Sequence, residues 1–362
     1  MSSEPTTSAQ EVLAAALLAL ECPVPFAGAD EVLMGHGSGG KLTARLIEET
    51  IVPALHNPLL ARLDDQAFVP VGSGHVAFTT DSFVVTPIEF PGGDIGELAV
   101  NGTVNDLAMG GATPLYLSLA FILEEGLPLA VLRRILASVR RAADRANVVV
   151  VTGDTKVVGR GSADKIFVNT AGIGAPRPGV RLSSDRVRPG DAILLSGSIG
   201  DHGMAILALR EGLELEGSLA SDTAPLHGLV AAMLDAFPDI HAMRDPTRGG
   251  LAATLVEIAS RRGLGIEVDE SSVPVREAVR GACEIFGLDP LLVANEGKLV
   301  AFVPAEGRDA VLASMRAHPF GRDAVCIGHV TSSHPGLTLL RTPIGGQRAL
   351  DLPFAEALPR IC

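Results

Sequence analysis

The stretch VNGTVNDLAMGGATP, residues 100–114, decides how the chain is read. It puts Asn105 and Asp106 near the end of a helix predicted over 95–108, just before Gly110 and Gly111. Outward from it, strand-like runs occur at 76–80, 148–152, 166–173, 192–196, 264–268 and 299–303. Helix-like runs lie between them at 41–51, 128–146, 201–210, 226–237, 250–261 and 308–317. This mixture predicts α/β or α+β layering. A length of 362 residues favours two domains of about 150 each. The Pro-, Gly- and Arg-rich segment APRPGVRLSSDRVRPG (175–190) reads as their junction. The expected boundaries are an extension at 1–30, an N-terminal domain at 31–180, a C-terminal domain at 181–333 and a flexible tail at 334–362. Pro335, Pro343, Pro353 and Pro359 rule out a continuous helix in that tail.

The composition excludes several classes. A net charge of −13 argues against a nucleic-acid footprint, which needs a basic face. It leaves nucleotides open, because backbone N–H groups and metal grip them locally. The apolar run at 12–20 is too short to span a bilayer. It follows Glu4 and Glu11 rather than a basic region, unlike a secretory signal. Cys22, Cys283, Cys326 and Cys362 show no paired spacing, which suits reduced thiols and a cytoplasmic protein. Among 29 basic residues only Lys41, Lys156, Lys165 and Lys298 are lysines. A lysine kept against that bias suggests a need for a compact ammonium, which Arg does not imitate.

Several segments carry chemistry. GHGSGGK (35–41) leads into a helix, and such loops cradle phosphate through backbone N–H groups. Its spacing is not that of a Walker A motif, and a flexible linker reads equally well. Asp64 and Asp65, Asp81, Asp106 and Asp154 all fall near element ends. Any one of them is most simply a turn or cap residue. Together, with little basic compensation, they suit a hard cation bound through oxygen, such as Mg²⁺ held with phosphates. RDPTRGG (244–250) is a second anion-friendly helix start with added guanidinium charge. NEGK (295–298) reads either as a turn or as a site for Glu296. The chain ends on Pro359-Arg360-Ile361-Cys362, so a mobile terminal thiol is expected. Its nucleophilic form is the thiolate; the adjacent α-carboxylate opposes ionisation and Arg360 favours it.

Taken together, GHGSGGK, DDQA, TTDSFVV, VNGTVNDLAMGGATP, TGDTKVV, RDPTRGG, NEGK and the terminal PRIC resemble the HypE family of hydrogenase maturation proteins. That family belongs to the superfamily of aminoimidazole ribonucleotide synthetase and selenophosphate synthetase. The resemblance spans about 33–362; the internal motifs mark the superfamily and PRIC the family. It implies two PurM-like α/β domains, a homodimer formed through the N-terminal domains, and ATP bound near that interface. It also implies an ATP-dependent carbamoyl dehydratase. The terminal cysteine takes a carbamoyl group from the carbamoyltransferase HypF. ATP-driven dehydration then gives a thiocyanate, whose cyano group passes to the HypC–HypD complex and becomes a cyanide ligand of the [NiFe] hydrogenase iron.

By the matching motifs, Asp65, Asp81 and Asp106 are implied to hold Mg²⁺ and phosphate. Asn105, Asp154 and Thr155 are second choices for binding ATP. Gly37, Ser38, Gly39, Gly40 and Lys41 are expected along the phosphates. Lys156 is placed on the migrating phosphoryl group and Arg248 on phosphate or tail. His36 and Glu296 are rival bases, and Cys362 carries the substrate. Two other readings remain: a synthetase of the same superfamily acting on a free small substrate, and a non-catalytic partner that uses the tail for docking. The first has no need of PRIC, and the second leaves the Asp and Lys placements incidental.

Overall fold

The structure is a computed structural model and describes residues 31–37, 39–213, 219–352 and 360–362. The expected extension at 1–30, with Cys22, and Ser38 lie outside the described residues. The first sheet comprises β1 (Ala67–Val71), β2 (Gly74–Phe83), β5 (Ala112–Glu124), β6 (Val149–Val158) and β7 (Ile166–Pro176), in the order β1-β2-β7-β5-β6. Only β5 and β6 run parallel. A short hairpin, β3 (Glu89–Phe90) and β4 (Gly93–Asp94), leads from this sheet into helix α1 (Ile95–Met109).

α1 is buried throughout except at Glu97 and Asp106. A helix that is apolar on every side belongs in the middle of a protein. It lies between β2, β7 and β5 on one side and α2 (Leu129–Ala146) on the other. Its start is fixed by Asp94, whose carboxylate accepts from the backbone N–H groups of Gly96 and Glu97 at 2.8 and 3.1 Å. Gly102 is required in α1: a Cβ there would come within 2.9 Å of the Phe83 ring. Its absence lets the end of β2 approach the helix.

The second sheet comprises β8 (Ala192–Leu195), β9 (Ala242–Arg244), β10 (Gly265–Asp269), β11 (Val300–Val303), β12 (Val325–Thr331), β13 (Thr338–Arg341) and β14 (Gln347–Leu350). Their order is β14-β13-β10-β12-β8-β11-β9, and only β10 and β13 run parallel. Helix α3 (Asp201–Arg210) and the helix Glu277–Phe286 belong to this half, yet Met204, Ile206, Val279 and Cys283 join the N-terminal core. The two halves therefore share one packed boundary, and the carboxylates described below line a cleft within it.

Two expectations are corrected. The tail expected to be flexible from 334 is ordered sheet as far as Leu350. β13 pairs with β10, placing Thr338 opposite Ile266, and β14 returns along β13. Pro335 and Pro343 flank β13 instead of interrupting it, and Leu340 and Leu350 bury their side chains. β5, absent from the sequence reading, is a largely apolar run, and such runs do not distinguish strand from buried helix.

Deleting 351–362 should preserve cooperative unfolding and cost about 1.5–3 kcal/mol from the burial of Ile361, together with the hydrogen bonds from Val84, Thr86 and His202. Deleting 338–362 should cost about 3–6 kcal/mol more, because Leu340 and Leu350 are lost with their strands. Thermal melts of the two truncations check the difference.

Candidate functional site

Between the two halves lies a cavity of about 250 Å³. The N-terminal half supplies Asp65, Thr80, Asp81, Phe83, Gly102 and Asp106, from the approach to β1, the end of β2 and one face of α1. The C-terminal half supplies Arg244, Asp245, Thr247, Arg248, Thr254, Glu257 and Glu296. Cys362 completes the lining.

Six carboxyl groups thus face two guanidinium groups. Burial, opposed by Arg244 and reinforced by Asp245, raises Asp65 to about 8. Arg244 Nε lies 2.7 Å from Asp65 Oδ1. Burial, opposed by Arg244, raises Asp245 to about 6. Burial also raises Asp81, against the pull of Arg248. Asp106 is driven well above the carboxylate range by burial and by the charges of Asp245, Asp81 and Asp65. Thr79 Oγ1 lies 2.9 Å from the Asp65 carbonyl and 2.8 Å from Asp106 Oδ2. The Thr79 hydroxyl thus donates towards Asp106 and works against the rise that burial imposes on that carboxyl. Glu296 is raised well above its usual range by burial and by Asp245, Asp81 and Asp222.

The terminal cysteine is docked, not free. Val84 N–H donates to Cys362 O at 3.1 Å and Thr86 N–H to Arg360 O at 3.2 Å, so the tail extends the backbone pairing beyond β2. Arg360 Nη1 lies 3.0 Å from Asp164, and Ile361 is buried. Cys362 Sγ lies 3.9 Å from Arg248 Nη1. Burial pushes the thiol well above its usual range, opposed by Arg248 and reinforced by Glu296 and Asp81. In this position burial disfavours the thiolate, which is the nucleophilic form, and the Arg248 guanidinium favours it.

The other anticipated residues divide. Asp65, Asp81, Asp106, Arg248, Glu296 and Cys362 line the cavity. The glycine loop borders it through Arg248. A Cβ on Gly39, whose φ is +78°, would come within 2.8 Å of Arg248 O, while one on Gly249 would come within 3.0 Å of Gly39 O. Gly37 is exposed, and Gly40 caps the helix Lys41–Arg45. Lys41 pairs with Asp351 instead of reaching the cavity.

His36 does not line the cavity; its Nδ1 accepts from Leu33 N–H at 2.9 Å within a local turn. Asn105 is not a free ligand. Its Nδ2 donates to Ala224 O and Glu296 O, and its Oδ1 accepts from Leu226 N–H, so it braces backbone. Asp154, Thr155 and Lys156 sit on the exposed edge strand β6, where Lys156 pairs with Asp154 at 2.8 Å.

Several residues escaped the sequence reading. Asp245 sits before a proline, where Asp is normally a turn former. Thr254 and Glu257 carried no motif signal, and Arg244 was read only as part of the RDPTRGG helix start. Lys298, flagged by the scarcity of lysine and the NEGK segment, forms a half-buried pair with Asp222 at 2.8 Å. Asp222 in turn accepts from Glu296 N–H at 3.0 Å and fixes that residue's backbone. Among the described residues no set of His, Cys, Asp and Glu encloses a metal ion by itself. The oxygen donors here suit a hard cation that brings phosphate ligands with it. Among the described residues no helix is long and apolar enough to cross a membrane.

Comparison with known proteins follows this geometry. The AIR synthase related protein N-terminal domain family matches residues 63–175, and the corresponding C-terminal domain family matches 188–339. The chain is 56% identical to the carbamoyl dehydratase HypE of Azotobacter vinelandii over 331 residues, covering 91% of this chain and 97% of that one. A crystal structure of the hydrogenase maturation protein HypE in complex with ATP aligns at a TM-score of 0.78 and 49% identity, covering 92% of this chain and 100% of that one. A chain from a HypE–HypF complex aligns at a TM-score of 0.81 and 46% identity, covering 85% and 99%.

The raised carboxyls set a pH dependence. Unfolded Asp titrates near 3.9, whereas folded Asp245 and Asp65 titrate at about 6 and about 8. Between the unfolded and folded values the native state binds more protons, so stability falls as pH rises. Without nucleotide or divalent ions, the melting temperature should fall as pH rises from about 4 to about 8. Asp65→Asn should flatten the slope.

Proposed function

The chain belongs to the AIR synthase related family and, within it, to the HypE carbamoyl dehydratases of hydrogenase maturation, and we propose that it dehydrates a carbamoyl group carried on Cys362. The observation that carries this reading is the docking of the terminal thiol in the carboxylate-lined cavity, beside Arg248 and Glu296.

Undocked, Cys362 ionises and takes a carbamoyl group from the carbamoyltransferase HypF. The resulting S–C(=O)–NH₂ oxygen is a poor leaving group. Attack of that oxygen on the γ-phosphorus of ATP releases ADP and gives an O-phosphorylated intermediate. Departure of phosphate then leaves S–C≡N. Two protons leave the nitrogen, one as oxygen is phosphorylated and one as phosphate departs.

Glu296 is the assigned base. It lines the cavity with Cys362, and its Oε1 has no hydrogen-bond partner, which leaves that oxygen open to accept a proton when the carboxyl is ionised. His36, held in its local turn, is set aside for this role. Arg248 holds phosphate and tail. Asp65, Asp81 and Asp106, joined by Asp245, would hold Mg²⁺, which when bound neutralises phosphate charge.

The cyano group passes to the HypC–HypD complex in the cytoplasm. A homodimer fits the exposed apolar residues of the N-terminal sheet, including Val149, Val151 and Val157 on β6 and Phe78 on β2. A pair of chains meeting there brings Asp154, Thr155 and Lys156 to the interface, where we assign them to nucleotide binding.

Intact-mass measurement with HypF, carbamoyl phosphate and ATP tests this reading. Wild-type protein should gain a carbamoyl group and then lose one water. Cys362→Ala should show neither change while still binding ATP. Asp81→Ala should accept the carbamoyl group and retain it. Conversion of the Asp81 variant at the wild-type rate would refute the metal assignment.

A further inference from the structure

We propose that His202 is a positioning residue for dehydration, seating the carrier thiol by holding the carbonyl of the residue before it. The inference rests on reading Cys362 as the carrier. His202 lies in the first turn of α3 and is fully buried. Its Nε2 is 2.9 Å from Ile361 O, and its Nδ1 is 2.7 Å from Ser221 Oγ. A carbonyl oxygen only accepts, so Nε2 carries the hydrogen. Nδ1 is then the acceptor, and the Ser221 hydroxyl donates to it. Ser221 is itself pinned, its N–H donating to Pro91 O at 2.7 Å and its Oγ accepting from Thr223 N–H at 3.2 Å. The ring also meets the Phe90 ring edge-on, with centroids 5.6 Å apart. One N–H is thereby aimed at a single point on the tail.

That point is the gap in the tail's other restraints. Val84 and Thr86 hold the carbonyls of Cys362 and Arg360 along one edge. Carbonyls alternate sides along an extended chain, so Ile361 O faces the opposite way. His202 supplies its donor there. Without it, a buried carbonyl would lose its partner as the tail seats, and the seated state would be disfavoured. Burial of an imidazole is costly unless its ring nitrogens are paired, and here both are, one of them to the tail. Because the contact is to backbone, it sets the register of the last peptide, and with it the depth to which Sγ enters the cavity.

Alkylation of Cys362 by iodoacetamide in the full-length protein, mapped by peptide mass spectrometry with Cys326 as reference, reads seating without requiring turnover. His202→Leu should raise the Cys362 labelling rate about tenfold, the scale of one buried hydrogen bond, and leave Cys326 unchanged. His202→Gln, which restores an N–H donor, should return the rate towards wild type. Ile361→Ala, which leaves α3 intact, should also accelerate labelling. Equal labelling of wild type and His202→Leu would overturn the proposal, as would identical rates for the Leu and Gln variants. In parallel, the carbamoylated His202→Leu protein should dehydrate about tenfold more slowly at an unchanged KM for ATP. Faster labelling with wild-type dehydration would leave the seating intact and refute the cavity as the dehydration site.

Discussion

Asp65, Asp81, Asp106, Asp245 and Glu296 line one cleft with Arg244 and Arg248, and much of the architecture serves to hold them there. Carboxylates taken out of water repel one another and favour their protonated forms. The structure keeps them together by distributing them over both halves of the chain. α1, buried on nearly all sides, supplies Asp106, β2 supplies Asp81, and the approach to the helix Gly250–Arg262 supplies Asp245 and Arg248. Behind this front, Lys298, Asp222 and Asn105 anchor the backbone of Glu296. A site with excess carboxylate and little compensating charge is electrostatically incomplete. Phosphates brought in with a divalent cation would complete it.

The tail acts within the same field. In the docked position the thiol is surrounded by groups that oppose its ionisation, with Arg248 as the counterweight. A thiol in that environment is a poor nucleophile. On the proposed function, acceptance of a carbamoyl group favours an undocked tail, and dehydration uses the cavity. A neutral thiocarbamate bears no charge at sulfur and escapes the penalty that the thiolate meets there. The pairing of 360–362 with Val84 and Thr86, the burial of Ile361 and the contact from His202 set a defined end point for that movement.

Much of the site could be read in the sequence because its motifs lie at element ends. Asp65, Asp81, Asp106, Arg248 and Glu296 all sit in such segments, and the fold gathers them. Asp245 escaped because an Asp-Pro pair is an ordinary turn signal. His202 and Asp222 escaped because their roles depend on contacts far away in the chain, which local pattern does not report. Asn105 was misassigned for the converse reason: an amide beside an acidic motif residue reads as a ligand until its partners prove to be backbone. The alternation of helices and strands was visible. β5 was hidden by its apolar continuity, and β13 and β14 by the prolines around them, which bound strands as readily as they break helices.

The central claim is that the buried cavity, with Glu296 as base, is where the carbamoyl group on Cys362 loses water. Its most direct test is the single-turnover rate of carbamoylated Glu296→Gln protein with saturating Mg²⁺ and ATP, with nucleotide binding measured alongside. The account predicts retained binding and a rate at least about a hundredfold lower, the scale of removing a general base. Dehydration at the wild-type rate would contradict it.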